Sequence, residues 1–315
     1  MSGGMLETLS DILSRLQLAG TLYFRTSFTS PWGVAVPAFE NVARFHFAHR
    51  GECMVRISET GEVVRLAQGD LVIIPRGAAH DLYCGYATEP TVLPLDRVLE
   101  QSGFSGRGVL VHGGEDDSRE TQLICGHFAL APSARHLIFD RLPSHIHIQD
   151  YGGVAGGWLE ATLRLIAVET GAGRLGGDLV ALKLSEAIFA QALRVYIETE
   201  GSARAGLAGF ADPQISRALD AFHQAPSHDW TIERLAREAG VSRTGFAVRF
   251  SEKMGVTPMQ YLTSWRMQIA CRSLVEGEMS ISEAAHATGY ASESAFTRVF
   301  KKEVGTTPAA FRAAH

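Results

Sequence analysis

Two hydrophobic periods divide the chain. Between residues 39 and 148, short runs of β-branched and aromatic side chains recur between Gly, Pro and charged turns, at 42–47, 54–57, 63–66, 71–74, 109–112 and 123–130. This spacing predicts the strands of an all-β sandwich or barrel. From residue 158 the apolar positions take helical spacing, over 158–170 and 178–198. The Gly-rich stretch 171–177 lies between them, so an antiparallel helical hairpin is expected. Residues 5–18 read as a further amphipathic helix, and the small, Gly/Ala-rich stretch at 200–210 as a linker. From Asp212 onward everything reads as helices joined by short turns. The expected class is α+β, divided into 1–150, 151–200, 201–211 and 212–315. The second hairpin helix carries Leu179, Leu182, Ile188, Phe189, Leu193 and Tyr196, more apolar surface than one partner helix covers. The hairpin is therefore expected to mediate self-association into a homodimer.

The last hundred or so residues contain an internal repeat. Ile232, Ala236 and Gly240 recur 49 residues on as Ile281, Ala285 and Gly289. Phe246, Phe250, Gly255, Thr257 and Pro258 recur 50 residues on as Phe296, Phe300, Gly305, Thr307 and Pro308. The offset rises by one within the turn after the glycine, where a loop absorbs an extra residue.

Each copy has the local chemistry of a helix-turn-helix. In the first (231–253), Thr231 caps a helix that buries Ile232, Leu235, Ala236 and Ala239. Gly240 supplies a left-handed turn, Val241 plugs the angle, and Ser242 caps a second helix that buries Phe246 and Phe250. Arg243, Thr244, Ala247, Val248 and Arg249 are left facing outward. In the second (280–302), Ser280 and Glu283 form a capping box, Gly289 turns the chain, and Ser292 caps a helix that buries Phe296 and Phe300. Its outward face is Glu293, Ser294, Thr297, Arg298 and Lys301. A helix from Pro258 to about Val275 joins the copies, a rod of roughly 27 Å.

Leu235-Ala236, Gly240-Val241-Ser242, Phe246, Phe250, Gly255, Pro258 and Tyr261 resemble the AraC/XylS-type regulators in their spacing. So does the second set: Ile281, Gly289-Tyr290, Ser294, Phe296, Arg298, Phe300-Lys301, Gly305, Pro308 and Phe311. The resemblance implies a transcription regulator whose two units enter successive major-groove segments of double-stranded DNA, with RNA polymerase as a further partner. It makes Arg243, Thr244, Ala247 and Val248, then Glu293, Ser294, Thr297 and Arg298, the base-facing residues. Val248 stands where many relatives carry a polar or basic residue, which suits a thymine methyl rather than a hydrogen bond.

Charge qualifies this picture without opposing it. The chain has a net charge of −5, but residues 212–315 carry 12 Lys and Arg against 11 Asp and Glu. The acidity thus belongs to residues 1–211, and phosphate binding depends on where charge sits locally. No run approaches the roughly eighteen apolar residues of a membrane span. The N-terminal stretch has Glu7 and Asp11 and no basic segment, unlike a signal peptide. A cytoplasmic protein without membrane contact is expected. The cysteines Cys53, Cys84, Cys125 and Cys271 form no CxxC pair, so disulfides are not expected.

Candidate chemistry in the first half rests on histidines. Gly69, Pro75-Arg76-Gly77 and His80 match the second cupin motif, a strand, a Pro/Gly turn and a His pointing inward. His46 and Glu52 fit the first motif, but Ala48 replaces its second His. The segment resembles a cupin sensor domain, which implies a cupin-like β-barrel. Cys125 and His127 share a strand face. Together with His46 and His80 they form a candidate metal set of a type suited to zinc. His145 and His147 flank a Pro-containing segment and are weaker candidates. The expected function is DNA-binding regulation, governed by a small molecule, a metal or an oxidant sensed in the cupin domain. No catalytic residues are expected. The alternative, a metal-dependent cupin enzyme carrying a DNA-binding tail, is disfavoured by Ala48. The chain also contains no nucleophile elbow, phosphate loop or dinucleotide fingerprint.

Overall fold

A computed structural model describes residues 8, 12, 18–85, 91–106, 108–130, 142–151, 153, 156–171, 174–199, 207–277 and 279–314. It divides into two compact units, one of 18–130 with 142–196, the other containing 197–315 together with residues 8 and 12.

The described residues of the first unit form two sheets rather than one closed barrel. Strands β1 (Leu18–Ser30), β3 (Val42–Arg50), β6 (Leu71–Ile74), β9 (Val109–Gly113), β10 (Asp116–Leu130) and β11 (Ile146–Ile148) make a six-stranded sheet in the order β11-β6-β3-β10-β1-β9. Strands β2 (Gly33–Val36), β4 (Cys53–Ile57), β5 (Val63–Leu66), β7 (His80–Tyr83) and β8 (Leu93–Pro94) make a five-stranded sheet in the order β5-β4-β7-β2-β8. Strands therefore begin at residue 18, well before residue 39, where alternation becomes clear in the sequence. Inward side chains alternate along β3, where Arg44, His46 and Ala48 stand opposite His127, Cys125 and Leu123 of β10. Val34, Val55, Ile57, Leu66, Val72, Ile74 and Leu123 fill the space between the sheets. A short helix α1 (Leu95–Ser102) lays Leu95 and Leu99 against this core.

Helices α2 (Gly157–Gly171) and α3 (Gly177–Thr199) follow. Ile188, Phe189, Leu193 and Tyr196 of α3 are buried, with Phe189 packed on Phe128 at 4.9 Å between ring centroids. These four therefore do not supply the outward surface expected of the hairpin. That surface is Trp158, Leu165, Val168, Leu175, Leu179 and Val180, all exposed.

The second unit is helical: α4 (Pro213–Gln224), α5 (Ile232–Ala239), α6 (Arg243–Met254), α7 (Pro258–Val275), α8 (Ile281–Ala287), α9 (Glu293–Val304) and α10 (Pro308–Ala314). Every start has its cap. Asp212, Thr231, Ser242, Thr257, Ser280, Ser292 and Thr307 each accept a backbone N–H from the first turn of their helix. Such a cap is worth about 1 kcal/mol. Phe246 and Phe250 of α6, and Phe296 and Phe300 of α9, are fully buried, so the two copies have the same core plan. Leu207, Ala208 and Phe210 are also buried, and Gly209 lies against Met254, so the end of the expected 201–211 linker packs as part of this unit. Residues 201–206, and most of the expected 5–18 helix, lie outside the described residues. Among the described residues, no helix is long and apolar enough to cross a membrane.

Candidate nucleic-acid interface and buried cavity

Burying the phenylalanines of α6 and α9 turns the opposite faces outward. On α6, Arg243 and Thr244 are exposed, Ala247 is partly so, and Val248 is half-exposed at 51%. On α9, Glu293, Ser294, Arg298 and Lys301 are exposed and Thr297 partly so. Among the described residues, Arg298 and Lys301 have no ion-pair partner. Arg243 Nε sits 2.7 Å from Glu233 Oε1. Both side chains are exposed, and such a pair is worth little and yields readily to a phosphate or base.

Arg249 departs from the expected set. Its Nη2 and Nε lie 2.6 and 2.8 Å from Asp212 Oδ2, and Lys253 Nζ lies 2.8 Å from the same oxygen. Asp212 is buried and its other oxygen caps α4. Burial pushes its carboxyl upward. Bonds from Arg249, Lys253 and the Ile215 and Gln214 backbone outweigh that and bring it down to about 2. Arg249 therefore clamps α6 to the start of α4 instead of reaching for DNA. The sequence gives no sign of this, because the two partners are 37 residues apart.

In the two-sheet unit the Pro75-Arg76-Gly77 turn holds Gly77 at φ +61°, where a Cβ would run into the Phe39 carbonyl. The turn delivers His80, fully buried, to the inner face. His80 Nδ1 is 2.8 Å from the Ala78 carbonyl, its Nε2 is 2.8 Å from His46 Nε2, and His46 Nδ1 is 3.1 Å from Cys125 Sγ. With neutral rings, one proton arrangement satisfies all three contacts. His80 Nδ1–H donates to the carbonyl, His46 Nε2–H to His80, and the Cys125 thiol to His46. The electrostatics agree. Burial, then His80 and Arg44, hold His46 well below its ordinary value, and burial first of all brings His80 down to about 4. Burial pushes the Cys125 thiol far up, so it stays protonated.

This chain of bonds does not fit a metal centre. His46 directs its two nitrogens at different partners, so the donors of His46, His80 and Cys125 do not surround one point. His127 is on the same face but outside the chain, and among the described residues no three His, Cys, Asp or Glu side chains are grouped to hold an ion. Glu52 is paired with Arg65, and His147 Nε2 with Asp70 at 3.0 Å. His145 also has a carboxylate beside it, that of Glu62. Cys53, Cys84 and Cys271 are buried.

Beside His46 and Cys125 a cavity of about 320 Å³ opens between the sheets and α1. Its walls are mainly apolar, with Thr26, Arg44, His46, Cys125 and His127 the polar side chains. Arg44 was missed in the sequence, although its place two residues before His46 on a strand puts both on one face.

A strand sandwich enclosing a cavity, followed by two capped helix-turn-helix units with outward recognition faces, defines a DNA-binding protein with an attached small-ligand-sized compartment. The comparisons agree: the cupin family model matches residues 7–198, and the helix-turn-helix domain model residues 235–314. An AraC-like transcription regulator of Streptomyces antibioticus is 31% identical, covering 98% of this chain and 98% of its own. Another from Streptomyces lividans is 31% identical with the same coverage. The RCS-specific HTH-type transcriptional activator RclR of Escherichia coli strain K12 is 27% identical over 96% of this chain and 97% of its own. The chain belongs to the AraC-like transcription regulators.

Proposed function

We propose that this regulator reads DNA sequence under the control of a small molecule taken up between the sheets of its first unit, and acts in the cytoplasm as a homodimer. The cavity is the observation that carries the proposal. Its volume falls in the range of ligand pockets, about 300–1,000 Å³. A metal is disfavoured by the donor geometry around His46. An oxidant is disfavoured because Cys125 is buried and protonated, whereas the thiolate is the reactive form. Ala48, in place of a cupin ligand, favours binding over catalysis. The homodimer is supported by the exposed apolar side chains of α2, of α3 and of Leu175 between them, Leu179 included. RNA polymerase is the further partner that the family resemblance implies.

The test is operator affinity of the full chain, with and without a small-molecule extract of the cells that express it. The wild-type affinity should shift, and Leu110→Trp, which fills the cavity, should remove the shift. An equal response from both chains overturns the proposal.

A further inference from the structure

The cavity walls contain one formal charge, and among the described residues no carboxylate neutralises it. Arg44 is the only acidic or basic residue among the lining side chains other than histidine. Its Nε is buried without a hydrogen-bond partner, and among the described residues no carboxylate pairs with it. The guanidinium carbon lies over the Phe39 ring, 4.3 Å from its centroid. Cation–π contact offsets a small part of the cost of burying a guanidinium, which stays charged at any pH the fold survives. Burial lowers its pKa, as an unpaired cation in an apolar setting requires. The adjacent histidines do not share the charge. Burial first, then Arg44 itself, holds His127 below its ordinary value, and His46 is neutral as described.

His127 stands directly opposite Arg44 in the β3–β10 register, on the same inward face. A guanidinium fork and a neutral imidazole N–H are thus presented side by side, matched to the two oxygens of a carboxylate. Phe24, Phe28, Leu95, Leu99, Phe104 and Leu110 line the rest of the space. One end is cationic and the remainder is apolar.

We propose that the cavity binds an amphiphilic carboxylate, an alkyl or aryl body carrying one carboxylate that pairs with Arg44 and His127. The inference deepens the small-molecule control proposed above and rests on it. Neutral molecules of the same shape leave the guanidinium unpaired, and short carboxylates leave the apolar walls uncovered.

Titration calorimetry on the full chain tests this with butyrate, hexanoate, octanoate, phenylacetate and octanol. Affinity should rise from butyrate to octanoate by about fourfold per methylene. Octanol should bind roughly tenfold or more weakly than octanoate. Arg44→Gln should erase the difference between octanoate and octanol while leaving octanol affinity unchanged. Leu99→Trp, which fills the apolar end and leaves Arg44 in place, should block both, and it decides the matter if Arg44→Gln fails to fold. Octanoate binding that is absent, insensitive to chain length, equal to that of octanol, or undiminished in either variant overturns the proposal. Operator affinity measured alongside separates the two readings. Octanoate that binds through Arg44 without changing DNA affinity leaves the ligand class standing and defeats small-molecule control by it. A cavity indifferent to every carboxylate, in a chain whose DNA affinity still responds to cell extract, does the reverse.

Discussion

His46 and His80 meet through their Nε2 atoms at 2.8 Å in the interior of the two-sheet unit, each buried and each neutral. Two protonated nitrogens cannot share that distance, so the contact exists only while His80 accepts. The His80 pKa in the folded chain is about 4 against an ordinary 6.5. Stability is therefore full above 6.5, where folded and unfolded forms are both neutral. It falls as pH drops from 6.5 to 4, because the unfolded chain takes up the proton first. The loss is about 3 kcal/mol at most. His80→Gln removes this titration, so its unfolding midpoint in urea should fall less steeply over the same window. Parallel pH profiles for the two proteins would refute the assignment.

Asp212 is the corresponding group in the helical unit, with the opposite charge. Its carboxyl is brought down to about 2 from an ordinary 3.8, so its contribution is complete above 3.8 and is lost as pH falls through 2. Asp212→Asn should cost about 2 kcal/mol or more at neutral pH, since it removes a cap and leaves Arg249 and Lys253 without their acceptor. Thermal unfolding measures this. A variant as stable as the wild type would show that the clamp contributes nothing.

The equivalent glycines of the repeat should differ in tolerance. Gly240 and Gly289 both hold positive φ, at +71° and +83°. A Cβ on Gly240 has only Arg217 Nη2 nearby, at 3.8 Å, whereas on Gly289 it would stand 2.6 Å from the Ser227 carbonyl oxygen. Gly240→Ala should cost about 1–2 kcal/mol from backbone strain alone. Gly289→Ala should cost clearly more, and denaturant melts giving equal losses would contradict this.

Self-association should depend on the exposed hairpin face. Leu175→Ser with Leu179→Glu places polar groups on a surface that the folded chain leaves open. Sedimentation at micromolar concentration should show a dimer for the wild type and a monomer for the double variant, with unfolding temperature little changed. A monomeric wild type would end the dimer proposal.

The helical half was legible because its signals are local. Caps, turn glycines and phenylalanines four apart recur within a dozen residues of each other, and the repeat presents them twice. The two-sheet half was legible as strands and as a cupin-like motif, while its division into two sheets and its first strands were not. β1 gains its partners from β10, about a hundred residues later, and no local pattern announces that pairing. The same limit applies to the sites. The sequence placed His46, His80, Cys125 and His127 on inward faces but could not show that the two His46 nitrogens point at different partners. Arg249 looked outward by helical spacing until Asp212 claimed it. Of the α3 residues expected at the surface, only Leu179 is strongly exposed, because β10 covers part of the face through Phe128.

The central claim, that α6 and α9 read bases, is tested most directly by selecting the full chain's sites from randomised duplex DNA. The selection is then repeated with Arg243→Ala, Arg298→Ala and Lys301→Ala. Two helix-turn-helix units joined by α7 should select a bipartite site with segments about one helical turn, 34 Å, apart. Arg243→Ala and Arg298→Ala should each relax preference within one segment, at about 1–3 kcal/mol. Lys301→Ala, in the last turn of α9, should weaken all sites alike and leave preference intact. Retention of all sequences equally by the wild type, or indistinguishable profiles for the three variants, would contradict the account.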